Sequence, residues 1–160
     1  MNYTHITENL LIGTTPGRKD YDELRRLGVK LVINMRVERR PYPDAHPSPV
    51  RVLWLPSFDS PAIPIPVRFL VRGAKAALDV IKQGGRVYTH CAQGVHRGVA
   101  MGAAILIAQG YTPEEAIELI RSKRNVADPG IWYIRRQIFK FAQEWQRLNP
   151  DRHDAPAPST

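Results

Sequence analysis

The residues best suited to chemistry lie in one stretch near the middle of the chain, from His90 to Arg97. This stretch holds Cys91, the single cysteine of the 160-residue sequence, and five residues separate it from Arg97. A thiolate is a strong nucleophile, and a guanidinium can bind two oxygens of one phosphate, which an ammonium group cannot do. The pair therefore predicts a site in which Cys91 attacks a phosphorus atom that Arg97 holds.

The sequence on either side of this stretch predicts the scaffold of an anion site. A β-prone run over residues 86–90 precedes it, and an apolar run over residues 99–108, long enough for a buried helix, follows it. In a strand–loop–helix unit, the loop amides and the helix N-terminus turn their positive ends inward. These donors favour the thiolate and hold phosphate oxygens. Gly94 is expected where the loop needs a positive φ or a close approach to the ligand.

The predicted phosphate cradle consists of the loop residues and the arginine. They are Ala92, Gln93, Gly94, Val95, His96 and Arg97. His90 is expected either to donate to the thiolate or to orient the loop, and His96 either to contact substrate or to face solvent. The five histidines show no metal-ligand spacing with carboxylates or the cysteine, so the sequence predicts neither a metal nor a cofactor.

The wider pattern, His90-Cys91-x-x-Gly94-x-x-Arg97 between a strand and a helix, resembles the active-site loop of the protein tyrosine phosphatase superfamily. Over residues 6–145 the chain is similar to the dual-specificity branch. The resemblance implies a phosphotyrosine phosphatase-like fold and hydrolysis of phosphate monoesters through a phosphocysteine intermediate. It implies phosphotyrosine, phosphoserine and phosphothreonine in proteins as candidate substrates.

The resemblance also implies a general acid on a loop upstream of the cysteine. Asp59 fits this role, because it follows a strand and lies 32 residues before Cys91, the separation usual in dual-specificity members. Asp44 is the alternative, but it lies one strand too early. The family usually carries Ser or Thr after the loop arginine, where the hydroxyl stabilises the departing thiolate. This chain has Gly98 there, which predicts a slower second chemical step.

Strands and helices alternate along the chain, which predicts an α/β fold. We expect a single three-layer domain over residues 1–148, with a central, mostly parallel sheet and helices on both faces, and a disordered tail over residues 149–160. The expected strands cover residues 6–13, 30–35, 50–55 and 86–90, and the expected helices cover residues 20–28, 67–83, 99–108, 112–120 and 131–148. Because ligands bind at the carboxyl ends of parallel strands, the loops that begin at Arg36, Pro56 and Cys91 should surround one pocket.

A formal net charge of +8 and a pI of about 10.0 favour anionic partners. We expect a phosphorylated protein or another anionic phosphate as substrate. Nucleic acid is not favoured, although an RNA 5′-phosphatase remains an alternative, as does a phosphate-binding module with little turnover. Arg36, Arg39 and Arg40 either bind a second anionic group or form a solvated basic face. No run reaches membrane-spanning length, and a lone thiol that must stay reduced suits a cytoplasmic protein.

Overall fold

The computed structural model describes residues 1–152 and is built on a five-stranded sheet. The strands are β1 (Tyr3–His5), β2 (Leu10–Gly13), β3 (Val29–Arg36), β4 (Arg51–Ser57) and β5 (Arg86–His90). They lie in the order β1-β2-β5-β3-β4, in which β1 and β2 pair antiparallel and every other pair is parallel. The prediction of a mostly parallel sheet is confirmed.

The prediction of one strand over residues 6–13 is wrong, because this segment contains the turn of a hairpin. The Ile6 N–H donates to the Leu10 carbonyl at 2.9 Å, and only β2 continues beside β5. The Thr7 hydroxyl accepts a hydrogen bond from the Asn9 N–H at 3.3 Å. Such local side-chain bonds stabilise a turn in competition with a strand.

Five α-helices follow the predicted pattern closely. They are α1 (Asp20–Arg26), α2 (Val67–Lys82), α3 (Arg97–Ala108), α4 (Pro113–Lys123) and α5 (Trp132–Leu148). Thr112 caps α4 in a capping box with Glu115, in which each side chain accepts a 3.1 Å bond from the other residue's N–H. Pro150–Arg152 forms a 3₁₀ turn, and the remainder of the predicted tail, residues 153–160, lies outside the described residues.

The two faces of the sheet are covered unequally. On one face α1 packs alone, and Tyr21 and Leu24 join Val32 and Tyr88 in a small apolar cluster. The other face carries the main core, in which α3 is central and all twelve of its residues are buried. The predicted three layers are therefore present, with α2 to α5 on the thicker side. Within residues 1–152, no helix is both long and apolar enough to cross a membrane.

Candidate active site

The loop between β5 and α3 has the shape that the sequence predicts for a phosphate cradle. Cys91 opens it and is only 3% exposed. Gly94 has a φ of +66°, and a Cβ there would lie 2.8 Å from the Gly13 carbonyl oxygen and 2.7 Å from Nη2 of Arg124. The structure therefore has the positive φ expected at this position, and the close approach that it shows is to the scaffold behind the loop.

This loop carries several N–H donors that have no partner among the described residues. Within residues 1–152, none of the amides of residues 92–96 donates to a backbone or side-chain acceptor. Arg97 is 5% exposed, and its Nε is buried and has no partner among the described residues. A buried N–H group is nearly always hydrogen-bonded in proteins, so the unpartnered Arg97 Nε, together with free amides in the loop that begins at Cys91, indicates a site for an anion.

Glu38 holds the other edge of the Arg97 guanidinium. Nη1 donates to Oε2 and Nη2 to Oε1, both at 2.9 Å, and Nη1 also donates to the Ser57 carbonyl at 2.8 Å. This fork-to-fork pair fixes the guanidinium plane and leaves the Nε edge for a ligand. The bonds from Arg97, with one from Arg36, hold the pKa of Glu38 well below its usual range. The pair is therefore intact at neutral pH and is lost only in strong acid.

Sequence reasoning missed Glu38, although its position two residues beyond β3 places it at the predicted sheet edge. Its presence changes the interpretation of Arg36. That side chain donates to Glu38 Oε1 at 2.8 Å and to the Thr15 hydroxyl at 2.9 Å, and Thr15 in turn donates to the Cys91 carbonyl at 3.0 Å. Arg36 thus supports the cradle.

The other two basic residues after β3 contact aromatic rings. The Arg39 guanidinium carbon lies 5.6 Å from the Tyr42 ring centroid, and Nη2 donates to the Tyr42 hydroxyl at 3.2 Å. The Arg40 guanidinium lies 5.5 Å from the Trp54 ring. Cation–π contacts of this kind orient both side chains and leave their charge available to a second anionic group.

Neutralising Glu38 should weaken the cradle without removing any group that would touch the phosphate. Because Arg97 would lose a charged partner in Glu38→Gln, we expect kcat/KM to fall roughly ten- to a hundredfold. Steady-state kinetics and inhibition by inorganic phosphate would measure the loss. Glu115→Gln is the matched control, because glutamine preserves the capping box of α4. Equal kinetics in the two variants would contradict a role for Glu38 in the cradle.

Arg124 supports the cradle from behind and was also missed by sequence reasoning. It is 3% exposed, and it donates to the Gly94 carbonyl at 2.9 Å and to the Gln93 carbonyl at 3.2 Å. Its remaining donors reach Asn2 Oδ1 at 3.0 Å and the Thr4 hydroxyl at 3.1 Å. By binding the loop carbonyls on the outside, Arg124 favours the orientation in which the amides face the cavity.

His90 acts on the loop backbone. Its side chain is 2% exposed, with Nδ1 3.2 Å from the Cys91 carbonyl oxygen. Burial lowers the pKa of His90 to about 4, so the ring is neutral at neutral pH. Of the two roles expected for His90, orientation of the loop is the one that these contacts support.

The two candidate acids have different surroundings. Asp44 forms an ion pair with Arg25 and accepts a 2.9 Å bond from the Val50 N–H, so it organises its own loop. Asp59 lies at the rim of the cradle, where its Oδ2 is 2.9 Å from His96 Nδ1 and its Oδ1 accepts a 2.7 Å bond from the Tyr133 hydroxyl. The structure thus brings Asp59 to the cysteine loop and leaves Asp44 in a structural pairing. It also gives His96 a partner that sequence reasoning did not foresee.

Gly98 lies where α3 passes close to β5. A Cβ at this position would lie 2.9 Å from both the Cα and the carbonyl carbon of His90, and 3.0 Å from the Cys91 nitrogen. These are backbone atoms that cannot move aside cheaply, so a serine would strain the start of the helix. Restoring the hydroxyl that the family usually has is therefore not a simple substitution here.

Comparison with known proteins agrees with this geometry. Residues 10–144 match the family described as "Dual specificity phosphatase, catalytic domain". The chain belongs to this family. Among curated relatives, it is 33% identical over 141 residues to dual specificity protein phosphatase 26 of Bos taurus, a match that covers 83% of this chain and 64% of the relative. The chain thus spans somewhat less than two thirds of the length of that relative.

Solved structures of dual specificity phosphatases have the same fold. A mouse putative dual specificity phosphatase complexed with zinc tungstate superposes with a TM-score of 0.80 at 25% identity, covering 91% of this chain and 89% of the other. PTPMT1 in complex with PI(5)P superposes with a TM-score of 0.77 at 25% identity, covering 91% of this chain and 97% of the other. The three-layer arrangement predicted from the sequence is that of these phosphatases.

Proposed function

We propose that this chain is a cysteine-dependent phosphatase that hydrolyses phosphate monoesters through a phosphocysteine intermediate. The observation that carries the proposal is the set of unpaired donors around Cys91: the free amides of residues 92–96 and the buried, unpartnered Nε of Arg97. A phosphoryl group is the anion that a nucleophilic thiolate at the centre of such a ring can attack. Membership of the dual specificity phosphatase family supports the same chemistry.

The reaction proceeds in two steps on this geometry. In the first, Cys91 Sγ attacks phosphorus while the loop amides and Arg97 hold the equatorial oxygens, and Asp59 protonates the departing oxygen. In the second, Asp59 accepts a proton from a water molecule that attacks the phosphocysteine, and the Cys91 thiolate leaves. The Glu38 pair keeps the Arg97 plane fixed through both steps, which spares the cost of reorganising it.

We propose phosphotyrosine, and phosphoserine and phosphothreonine, in proteins as the substrates, and the cytoplasm as the compartment. Several curated relatives are named as protein phosphatases, which supports the first point. Because PTPMT1 was solved with PI(5)P, phosphoinositides are the second class to test. A turnover screen on phosphopeptides, phosphoinositides and 5′-triphosphorylated RNA, with Cys91→Ser as the control, would rank the classes. Turnover of RNA or lipid alone would contradict the protein assignment.

The acid role of Asp59 can be tested by its leaving-group dependence. Asp59→Asn should slow phenyl phosphate, whose phenolate leaves poorly, by roughly 10²- to 10⁴-fold, and activated aryl phosphates much less. Steady-state rates on the two kinds of ester would measure the difference. If Asp44→Asn behaves in this way and Asp59→Asn does not, the acid has been assigned to the wrong loop.

The glycine at position 98 favours slow turnover with a long-lived phosphocysteine intermediate. A hydrogen bond to a charged group contributes roughly 1.5–3 kcal/mol, so the missing hydroxyl should slow thiolate departure by about ten- to a hundredfold. We expect a stopped-flow burst of aryl product, close to one equivalent per enzyme, followed by slower turnover. A trace that is linear from the first turnover would show that dephosphorylation is not limiting.

A further inference from the structure

We propose that His96 and Tyr133 are positioning residues that hold the acid loop, residues 58–66, over the phosphate cradle by fixing Asp59 between them. The inference rests on the proposed function, because it takes Asp59 as the acid. His96 belongs to the phosphate loop, and Tyr133 lies in the first turn of α5. Two separate elements therefore hold one carboxylate, and each of them binds a different oxygen.

The acid loop depends on these contacts because its middle has few others. Its beginning continues from β4, and near its end the Gln137 side chain donates to the Ile65 carbonyl at 2.7 Å. Between these points Phe58 and Ile63 are about half exposed. For residues 58–64, the hydrogen bonds to other elements of the described chain are those of Asp59, to His96 and to Tyr133. Without them, nothing polar would hold the middle of the loop in place.

The charges around the two residues suit this role. The His96 ring lies between two carboxylates: Nδ1 is 2.9 Å from Asp59 Oδ2, and Nε2 is 4.0 Å from Asp128 Oδ2. The next residue in the sequence is the basic Arg97. The Tyr133 ring meets the His96 ring edge-on at 5.8 Å. Burial and the bond to Asp59 raise the pKa of Tyr133 to about 12, so its hydroxyl stays a donor across the working range.

These bonds leave Asp59 able to work. Each carboxyl oxygen has two acceptor positions, so an oxygen that is bound to Tyr133 or His96 can still face the leaving group. What the contacts supply is orientation: an acid that is held in place delivers its proton without first ordering the loop. The benefit should be largest where proton donation limits the rate, which is with poor leaving groups.

A double-mutant cycle on two substrates tests the inference. Tyr133→Phe removes one hydroxyl and keeps the ring, and His96→Asn keeps a shorter polar group. In each, kcat/KM on phenyl phosphate should fall roughly tenfold, and kcat/KM on p-nitrophenyl phosphate less than about threefold, because kcat/KM reports the first step even where breakdown of the phosphocysteine limits kcat. In an Asp59→Asn background, either change should cause no further loss on phenyl phosphate. Tyr3→Phe is the matched control, because it removes a 2.9 Å hydroxyl–carboxylate bond to Glu23 on the opposite side of the sheet.

The possible results distinguish failure of the positioning role of His96 and Tyr133 from failure of the proposed phosphatase function. Equal losses on the two substrates, or losses that add to that of Asp59→Asn, would show that His96 and Tyr133 do not act through Asp59 and would overturn the inference. If Asp59→Asn itself left both substrates unaffected while Cys91→Ser abolished turnover, the acid assignment would fail and the inference with it, although the phosphatase proposal would stand. No wild-type turnover of either substrate would overturn the inference and count against the phosphatase proposal.

Discussion

Cys91→Ser should abolish hydrolysis, with a loss of at least about 10⁴-fold in kcat. The reason is chemical, because a serine hydroxyl at this position has no base to activate it. Among the described residues no side chain is hydrogen-bonded to Cys91 Sγ, and the adjacent His90 directs Nδ1 toward the Cys91 carbonyl. Steady-state assays with an aryl phosphate, at enzyme concentrations high enough to detect a residual rate, would measure the loss.

The same variant should still bind the anion. The cradle consists of backbone amides and Arg97, so calorimetric titration with inorganic phosphate should give an affinity within about tenfold of the wild type. The thermal midpoint should change little, because the substitution exchanges one small buried side chain for another. Substantial turnover in a folded Cys91→Ser protein would contradict the covalent mechanism.

Arg97→Lys should reduce kcat/KM by roughly 10²- to 10⁴-fold, although the formal charge is kept. Arg97 has two sets of donors: its Nη atoms bind both Glu38 oxygens and the Ser57 carbonyl, and its buried Nε, which has no partner among the described residues, is left for the phosphate. A single ammonium cannot satisfy both sides. If the lysine ammonium pairs with Glu38, the phosphate loses its clamp. If it binds the phosphate, Glu38 is left unpaired. Binding and rate should therefore fall together.

Phosphate titration would measure the loss of binding in this variant, and steady-state kinetics would measure the loss of rate. Both measurements are made well below the thermal midpoint of the variant. Arg121→Lys is the matched control, because Arg121 is half exposed and its only ion pair within residues 1–152, to Glu118, is loose at 3.9 Å. Near wild-type kcat/KM in Arg97→Lys would mean that Arg97 is not the clamp for the phosphate.

The main features of the fold follow from local patterns in the sequence. The run Lys30 to Met35 has the composition of a buried strand, and the Thr112-Pro113 start of α4 is a local capping signal; both are found where they were expected. Cys91, Gly94 and Arg97 are also close in sequence, so their spacing could be read directly. The strand predicted for residues 6–9 is wrong, because the bond between the Asn9 N–H and the Thr7 hydroxyl stabilises a turn there, despite the apolar residues that follow at 10–12.

The supporting residues of the site could not be predicted, because they reach it across long stretches of chain. Glu38 lies 59 residues from Arg97, Tyr133 lies 74 residues from Asp59, and Arg124 lies 30 residues from Gly94. No periodicity or spacing links these pairs, and in the sequence each supporting residue has the features of an ordinary surface residue. The steric limit at Gly98 was hidden for the same reason, since it depends on how closely α3 approaches the end of β5.

The four bonds of Arg124 have a consequence for the dynamics of the protein. Two of its acceptors belong to the phosphate loop. The other two are Thr4, which lies in the edge strand β1, and Asn2, which directly precedes that strand. A three-residue edge strand such as β1 is the part of a sheet that opens most readily. Each opening removes half of the acceptors of a buried guanidinium, which then holds the loop carbonyls less firmly. We therefore expect local fraying of β1, or a partner that captures this strand, to lower the affinity of the phosphate loop for its ligand.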